Sequence, residues 1–137
     1  MRPFAAMLCL GTALLAAAGA RAESIDQVRR GFAQMVYEDA APDINREAPQ
    51  PLLRAVVVLR VRLDERDHWH ADVMRENDVE PGLTRKAIAS VEHLARAMDV
   101  SAAMAEQLHR EGFVEVWLFQ NDGRFALKTL ALPQRRL

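Results

Sequence analysis

From Leu53 to Leu63 the chain alternates, with Val57, Leu59, Val61 and Leu63 on one side and Val58, Arg60 and Arg62 on the other. Period two over that length predicts a half-buried strand. Asp64-Glu65-Arg66-Asp67 reads as a turn, and His68 to Met74 returns with Trp69, Ala71 and Val73 in phase. The opposite face of this first hairpin carries Arg, His and Asp, as expected of a sheet with one wetted side. The alternation recurs at Phe113–Phe119. There Phe113, Glu115, Trp117 and Phe119 oppose Val114, Val116 and Leu118. Asn121-Asp122-Gly123-Arg124 predicts a type I′ hairpin turn, since Asp-Gly accepts the positive φ that turn requires. Phe125 to Leu132 is its return strand, ended by Pro133.

Between and before the hairpins the period changes to helical. Ser24-Ile25-Asp26-Gln27 is a capping box, in which a Ser and a Gln three residues on satisfy each other's amides. Ile25, Val28, Phe32 and Met35/Val36 then predict a helix over Ile25–Glu38, weakened slightly by Gly31. Pro42, Pro49 and Pro51 make Ala40–Pro51 a connector. Residues 77–82 read as a loop. Leu83, Ala87, Ile88, Val91, Leu94/Ala95 and Met98 predict a helix over Thr84–Met98. A shorter one, capped by Asp99 or Ser101, carries Val100, Met104 and Leu108. Gly112 stands where a left-handed residue closes a helix. The order α-ββ-α(α)-ββ predicts an α+β fold, one antiparallel sheet of two hairpins with helices on one face.

The first 22 residues are of another kind. Arg2 precedes an uncharged, Ala- and Leu-rich run, Phe4–Ala20, and Ala20-Arg21-Ala22 offers a small-residue cleavage site. This is read as a secretory signal cleaved after Ala22, placing the protein in the periplasm. The 17-residue run is at the short limit of a membrane span, so an uncleaved anchor is the lesser alternative. No span is expected after cleavage. The mature chain has 115 of the 137 residues, enough for one domain, and lacks cysteine, because Cys9 leaves with the signal. Thiol catalysis, Cys-x-x-Cys redox chemistry and cysteine-bound zinc are thereby excluded. The organisation expected is signal 1–22, helix and connector 23–52, α+β domain 53–133 and polar tail 134–137. The mature chain keeps 16 basic and 19 acidic side chains, a net charge near −3, without a basic stripe for nucleic acid.

Three segments carry a resemblance to a known family. Leu53-Arg54-Ala55-Val56-Val57-Val58-Leu59-Arg60-Val61-Arg62-Leu63-Asp64 resembles the first strand of the TonB/TolA C-terminal domain. Ala71-Asp72-Val73-Met74-Arg75-Glu76-Asn77 is similar to its second strand and the following loop. Leu83-Thr84-Arg85-Lys86-Ala87-Ile88-Ala89-Ser90-Val91 is similar to its helix. The likeness covers about eighty residues, Leu53–Leu132, and the leading helix resembles the TolA-like branch. It implies a non-enzymatic interaction module linked to envelope transport, with a receptor or transport complex as partner. In that family the third strand is an edge to which a partner's extended peptide adds. Here the expected fourth strand would lie on that edge. Without an anchor or long Pro-rich arm, such a relative could bind but not pull.

The candidate partner-binding residues are Arg124 and Lys128 on the second hairpin and His68 and His70 on the first. His68 and His70 flank Trp69 and, with Asp72, form an N,N,O set that defines an alternative: a periplasmic metal- or small-ligand-binding protein. Arg60 and Arg62 opposite them argue against a divalent cation, so no metal and no cofactor is expected. No serine stands in a nucleophile motif and no Gly-rich phosphate loop is present, so no enzyme is expected. Phe113, Trp117 and Phe119 read as core. The alternative, suggested by Glu115 on the same face, makes them a contact stripe.

Overall fold

In the computed structural model, which describes residues 24–75, 80–95 and 97–133, three α-helices cover one face of a four-stranded antiparallel sheet. The segment read as a signal, the loop residues 77–79 and the tail 134–137 lie outside the described residues. The fold is α+β. Helix α1 spans Ile25–Asp39 and opens on the expected capping box. The Gln27 N–H donates to Ser24 Oγ at 3.2 Å, and the Ser24 N–H donates to Gln27 Oε1 at 3.1 Å. A single 3₁₀ turn, Ala41–Asp43, follows. Strands β1 (Ala55–Leu63) and β2 (Trp69–Arg75) form the first hairpin. Helices α2 (Pro81–Glu92) and α3 (Ala102–Arg110) come next, then β3 (Phe113–Phe119) and β4 (Phe125–Leu127).

The strand order is β2-β1-β3-β4, so the two hairpins meet along β1 and β3, with Ala55 opposite Phe119 and Val61 opposite Phe113. Burial follows the period-two pattern. Ala55, Val57, Leu59, Val61 and Leu63 are buried, as are Phe113, Glu115, Trp117 and Phe119. Phe113, Trp117 and Phe119 are thus core. The Phe32 ring of α1 meets Trp69 and Phe113 edge-on, at centroid distances of 5.2 and 5.3 Å. Such pairs contribute about 0.5–1.5 kcal/mol each beyond area burial. The Trp117 indole N–H, which must find an acceptor once buried, donates to Ser90 Oγ on α2 at 3.0 Å. Val28, Phe32, Val36 and Tyr37 of α1 belong to the same core as the sheet.

Several boundaries differ from expectation, each for a physical reason. Helix α2 begins at Pro81 rather than Thr84, because proline's fixed φ and missing N–H suit the first helical position. It ends at Glu92, not Met98. The Leu94 N–H turns back to Val91 O at 3.2 Å. The apolar period runs on past Glu92 because the connector is also pressed on the core: Leu94 is buried and Met98 packs against it. Val73 is 38% exposed, although it is in phase with the buried Trp69 and Ala71. The second hairpin turn is not type I′, because Gly123 (φ 82) has positive φ and Asp122 does not. Gln120 N–H donates to Arg124 O at 2.9 Å and Gly123 N–H to Gln120 O at 3.0 Å, a type I turn closed by a left-handed residue. The Asp122 carboxylate steadies it by accepting from the Arg124 N–H at 2.9 Å. The first hairpin uses the same turn, with Asp67 (φ 60) in the left-handed place. The largest correction is β4, which stops at Leu127 rather than Leu132. Lys128, Thr129 and Leu130 form a turn, and the Leu130 N–H donates to Leu127 O at 3.0 Å.

Candidate functional site: a half-open strand edge beside a buried carboxylate

The short β4 decides what β3 exposes, while β2 forms the other edge of the sheet. Alternate residues of a strand aim their N–H and C=O to the same side. Gln120 bonds Arg124 across the hairpin, and the Lys128 N–H donates to Val116 O at 3.0 Å. The even-numbered residues of β3 therefore face the β4 side, Val114 among them. The paired register covers Trp117, Leu118 and Phe119 and goes no further toward the start of β3. Among the described residues, no backbone group pairs with the outward N–H and C=O of Val114. Its side chain is 38% exposed.

The outer edge of β4, in contrast, is capped. The Asn45 N–H donates to Phe125 O at 2.7 Å, and Ile44 bridges the same residue. The Leu127 N–H donates to the Tyr37 hydroxyl at 3.1 Å. Burial pushes the Tyr37 phenol above its ordinary range, opposed by that N–H. Both groups come from α1 and the connector, so the first part of the chain protects the last strand.

Glu115 stands beside the open half-edge. It is 2% exposed, on the core face between Phe113 and Trp117. Oε1 accepts the Val116 N–H at 2.9 Å, and the Thr129 hydroxyl donates to Oε2. Burial pushes its carboxyl above the usual glutamate range, against the opposing pull of Thr129, Val116 and the Arg29 charge. An open cleft of about 390 Å³ lies over it, lined by Arg29, Val114, Glu115, Val116, Lys128 and Thr129. The Arg29 guanidinium sits 5.8 Å from the centre of the Phe113 ring. A backbone edge, a hydrogen-bonded carboxylate and two cations thus converge where β4 turns away. The arrangement suits an extended peptide, whose main chain would take the edge and whose side chains would meet the cleft.

The four residues read as partner-binding do not share one site. Lys128 lines this cleft. Arg124 is in the β3–β4 turn, donating to Asp122 Oδ2 at 2.7 Å. His68 and His70 belong to the other side of the sheet, about 14 Å away at ~4.8 Å per strand spacing. They do come together, lining a depression of about 370 Å³ with Arg62, Asp64, Glu65 and Arg66. His68 is exposed and precedes β2; its N–H donates to Asp64 Oδ1 at 2.9 Å. The His70 ring lies between two carboxylates, with Nε2 3.1 Å from Asp72 and Nδ1 3.1 Å from Glu92. Asp72 also accepts from Arg62 at 2.7 Å, which more than any other contact holds its carboxyl below the usual range. Among the described residues, no three His, Cys, Asp or Glu side chains are grouped to hold a metal ion.

The residues missed in the sequence are Val114, Arg29, Thr129, Tyr37 and Asn45. The one available signal was Glu115, an acid on an otherwise aromatic strand face, with Thr129 opposite it in the hairpin register. In comparisons with known proteins, no family model matches the chain, and neither a curated protein nor a solved structure matches it significantly.

Proposed function

We propose that this is a non-enzymatic, exported interaction module that binds an extended segment of an envelope partner by strand addition at the start of β3. The observation that carries this reading is the outward backbone of Val114, unpaired among the described residues, beside the Glu115 cleft. The other end of the same sheet side is closed by Asn45 and Tyr37. An edge left bare on a sheet whose neighbouring edge is capped is suited to a partner. The likeness of Leu53–Leu132 to the TonB/TolA C-terminal domain supports the same reading and suggests the periplasm and a receptor or transport complex as the setting. The fourth strand does not argue against it, because β4 leaves the needed half of β3 uncovered. The metal-binding alternative has less support, since His70 and Asp72 are engaged with Glu92 and Arg62.

A photo-reactive residue placed at Val114, with Gln34 on the exposed side of α1 as control, tests this in intact cells. Capture of one envelope protein at Val114 and not at Gln34 is expected. Equal capture at both positions, or none at Val114, would overturn strand addition there.

A further inference from the structure

We propose that the chain closes this edge itself: residues 128–132 zip onto the start of β3, so that a partner strand must compete with them. The proposal rests on the reading that the edge accepts a partner, and it adds the regulation of that site.

The register carries the argument. Trp117 faces Leu127, Leu118 faces Ala126 and Phe119 faces Phe125, with a further rung from Lys128 to Val116. Continued without a shift, the same ladder sets Thr129 opposite Glu115, Leu130 opposite Val114 and Ala131 opposite Phe113. The Thr129 hydroxyl already reaches Glu115. That contact therefore survives closure and serves as its pivot. The alternation through Leu132 that predicts a longer strand is a real property of these residues. In the structure the Leu130 N–H is spent on Leu127 O instead.

Closure unwinds one turn. It gives up that bond and the partial burial of Leu130 against the core. In return, the N–H and C=O of Val114 gain ladder partners and Leu130 lies beside the Val114 side chain, a cross-strand contact. One backbone bond and a partial burial are given up for two backbone bonds and a cross-strand contact, a small difference that leaves both forms populated. Ala131 is small enough to lie opposite Phe113 beneath the Arg29 guanidinium. Pro133 has no N–H, and the zipper stops before it. A partner's apparent affinity is then lowered by the fraction of molecules in which the edge is closed.

Amide exchange of Val114, followed by NMR, tests the closure. Leu130→Pro removes the N–H that would bond Val114. It should speed Val114 exchange by the reciprocal of the open fraction, about twofold where the two forms are equally populated, leaving Leu59 and Trp117 unchanged. Equal Val114 rates in the two proteins would overturn the proposal. A disulfide trap covers the case in which the proline variant does not fold. Val114→Cys with Leu130→Cys, in a Cys9→Ser background, should cross-link within folded monomers under mild oxidant, because paired strand residues meet the required Cα separation. Absence of that bond would overturn closure. Failure of the two ideas is separable. Fast Val114 exchange in Leu130→Pro without photo-capture at Val114 removes the partner reading and leaves the closure. Capture with unchanged exchange does the reverse.

Discussion

Glu115→Gln should flatten the pH dependence of stability between the ordinary glutamate range and neutrality, and should stabilise the protein at pH 7–8. Glu115 is 2% exposed and sits among Phe113, Trp117 and the chain around Thr129. Burial raises its pKa, so the folded state holds the proton more tightly than the unfolded chain does. Stability changes with pH as the protons bound by the unfolded state minus those bound by the folded state. That difference is negative while the folded carboxyl is protonated and the unfolded one is not. The contribution of Glu115 is therefore fully present below the unfolded value near 4.3 and is lost as pH rises through the higher folded value. Each unit of upward displacement corresponds to about 1.4 kcal/mol. Asp64, Asp72 and Asp122 act in the opposite direction and in a lower window. Their folded pKa values are depressed, chiefly by the His68 N–H, by Arg62 and by the Arg124 N–H respectively, so their contributions are lost only as pH falls through those values. Subtracting the Glu115→Gln profile from the parent profile isolates the glutamate.

Urea unfolding from pH 4 to 8 provides the assay. The glutamine keeps a carbonyl for the Val116 N–H and an amide for Thr129, so packing is retained. Glu115→Ala instead orphans the Val116 N–H and the Thr129 hydroxyl, and should cost about 1–3 kcal/mol at every pH. Parallel pH profiles for the parent and Glu115→Gln would refute the placement of this carboxyl in a desolvated site.

Four other substitutions test separate parts of the fold. Gly123→Ala should cost about 1–2 kcal/mol in thermal melts, from left-handed backbone alone, since nothing lies within 4 Å of the added carbon. Gly112→Ala should cost far more or prevent folding, because its Cβ would sit 2.0 Å from Val61 O. Similar losses for the two would contradict the packing of the α3–β3 junction. Tyr37→Phe removes the acceptor of the Leu127 N–H and should lower stability by about 1–3 kcal/mol in urea, with faster exchange at Leu127. Ser24→Ala, which breaks the capping box, should cost about 0.5–2 kcal/mol, read from the melting temperature.

The elements legible in the sequence are those where local pattern and final environment agree. β1 and β3 alternate because one face is buried along their whole length, and the ends of β3 match the sequence reading. The Ser24 box and Gly112 (φ 65) were legible because caps are local chemistry. What was not legible depends on groups far apart in the chain. His109 Nε2 meets Asp67 at 2.7 Å across 42 positions, and Tyr37 reaches Leu127 across 90. The candidate site was half visible. Lys128 and Glu115 were marked by their residue types. Val114 matters through its backbone, which no side-chain pattern reports, and its exposure depends on where β4 ends.

That end is where local preference and tertiary bonding disagree. The pattern from Phe125 to Leu132 favours a strand throughout, yet the ladder stops at Leu127. The disagreement is confined to the five residues beside the stretch of β3 that has no strand partner on that side among the described residues. Completing the hairpin there would cover an exposed edge, at the cost of the Leu130 N–H bond to Leu127 O and the packing of Leu130 on the core. The chain caps the outer edge of β4 with a tyrosine hydroxyl and an asparagine amide, while Val114, one strand away, has no backbone partner among the described residues. Capping at one place and omission at the next set this segment apart from the outer edge of β4. They follow if the bare segment must be accessible to another strand, whether that strand is the partner's or the chain's own residues 128–132.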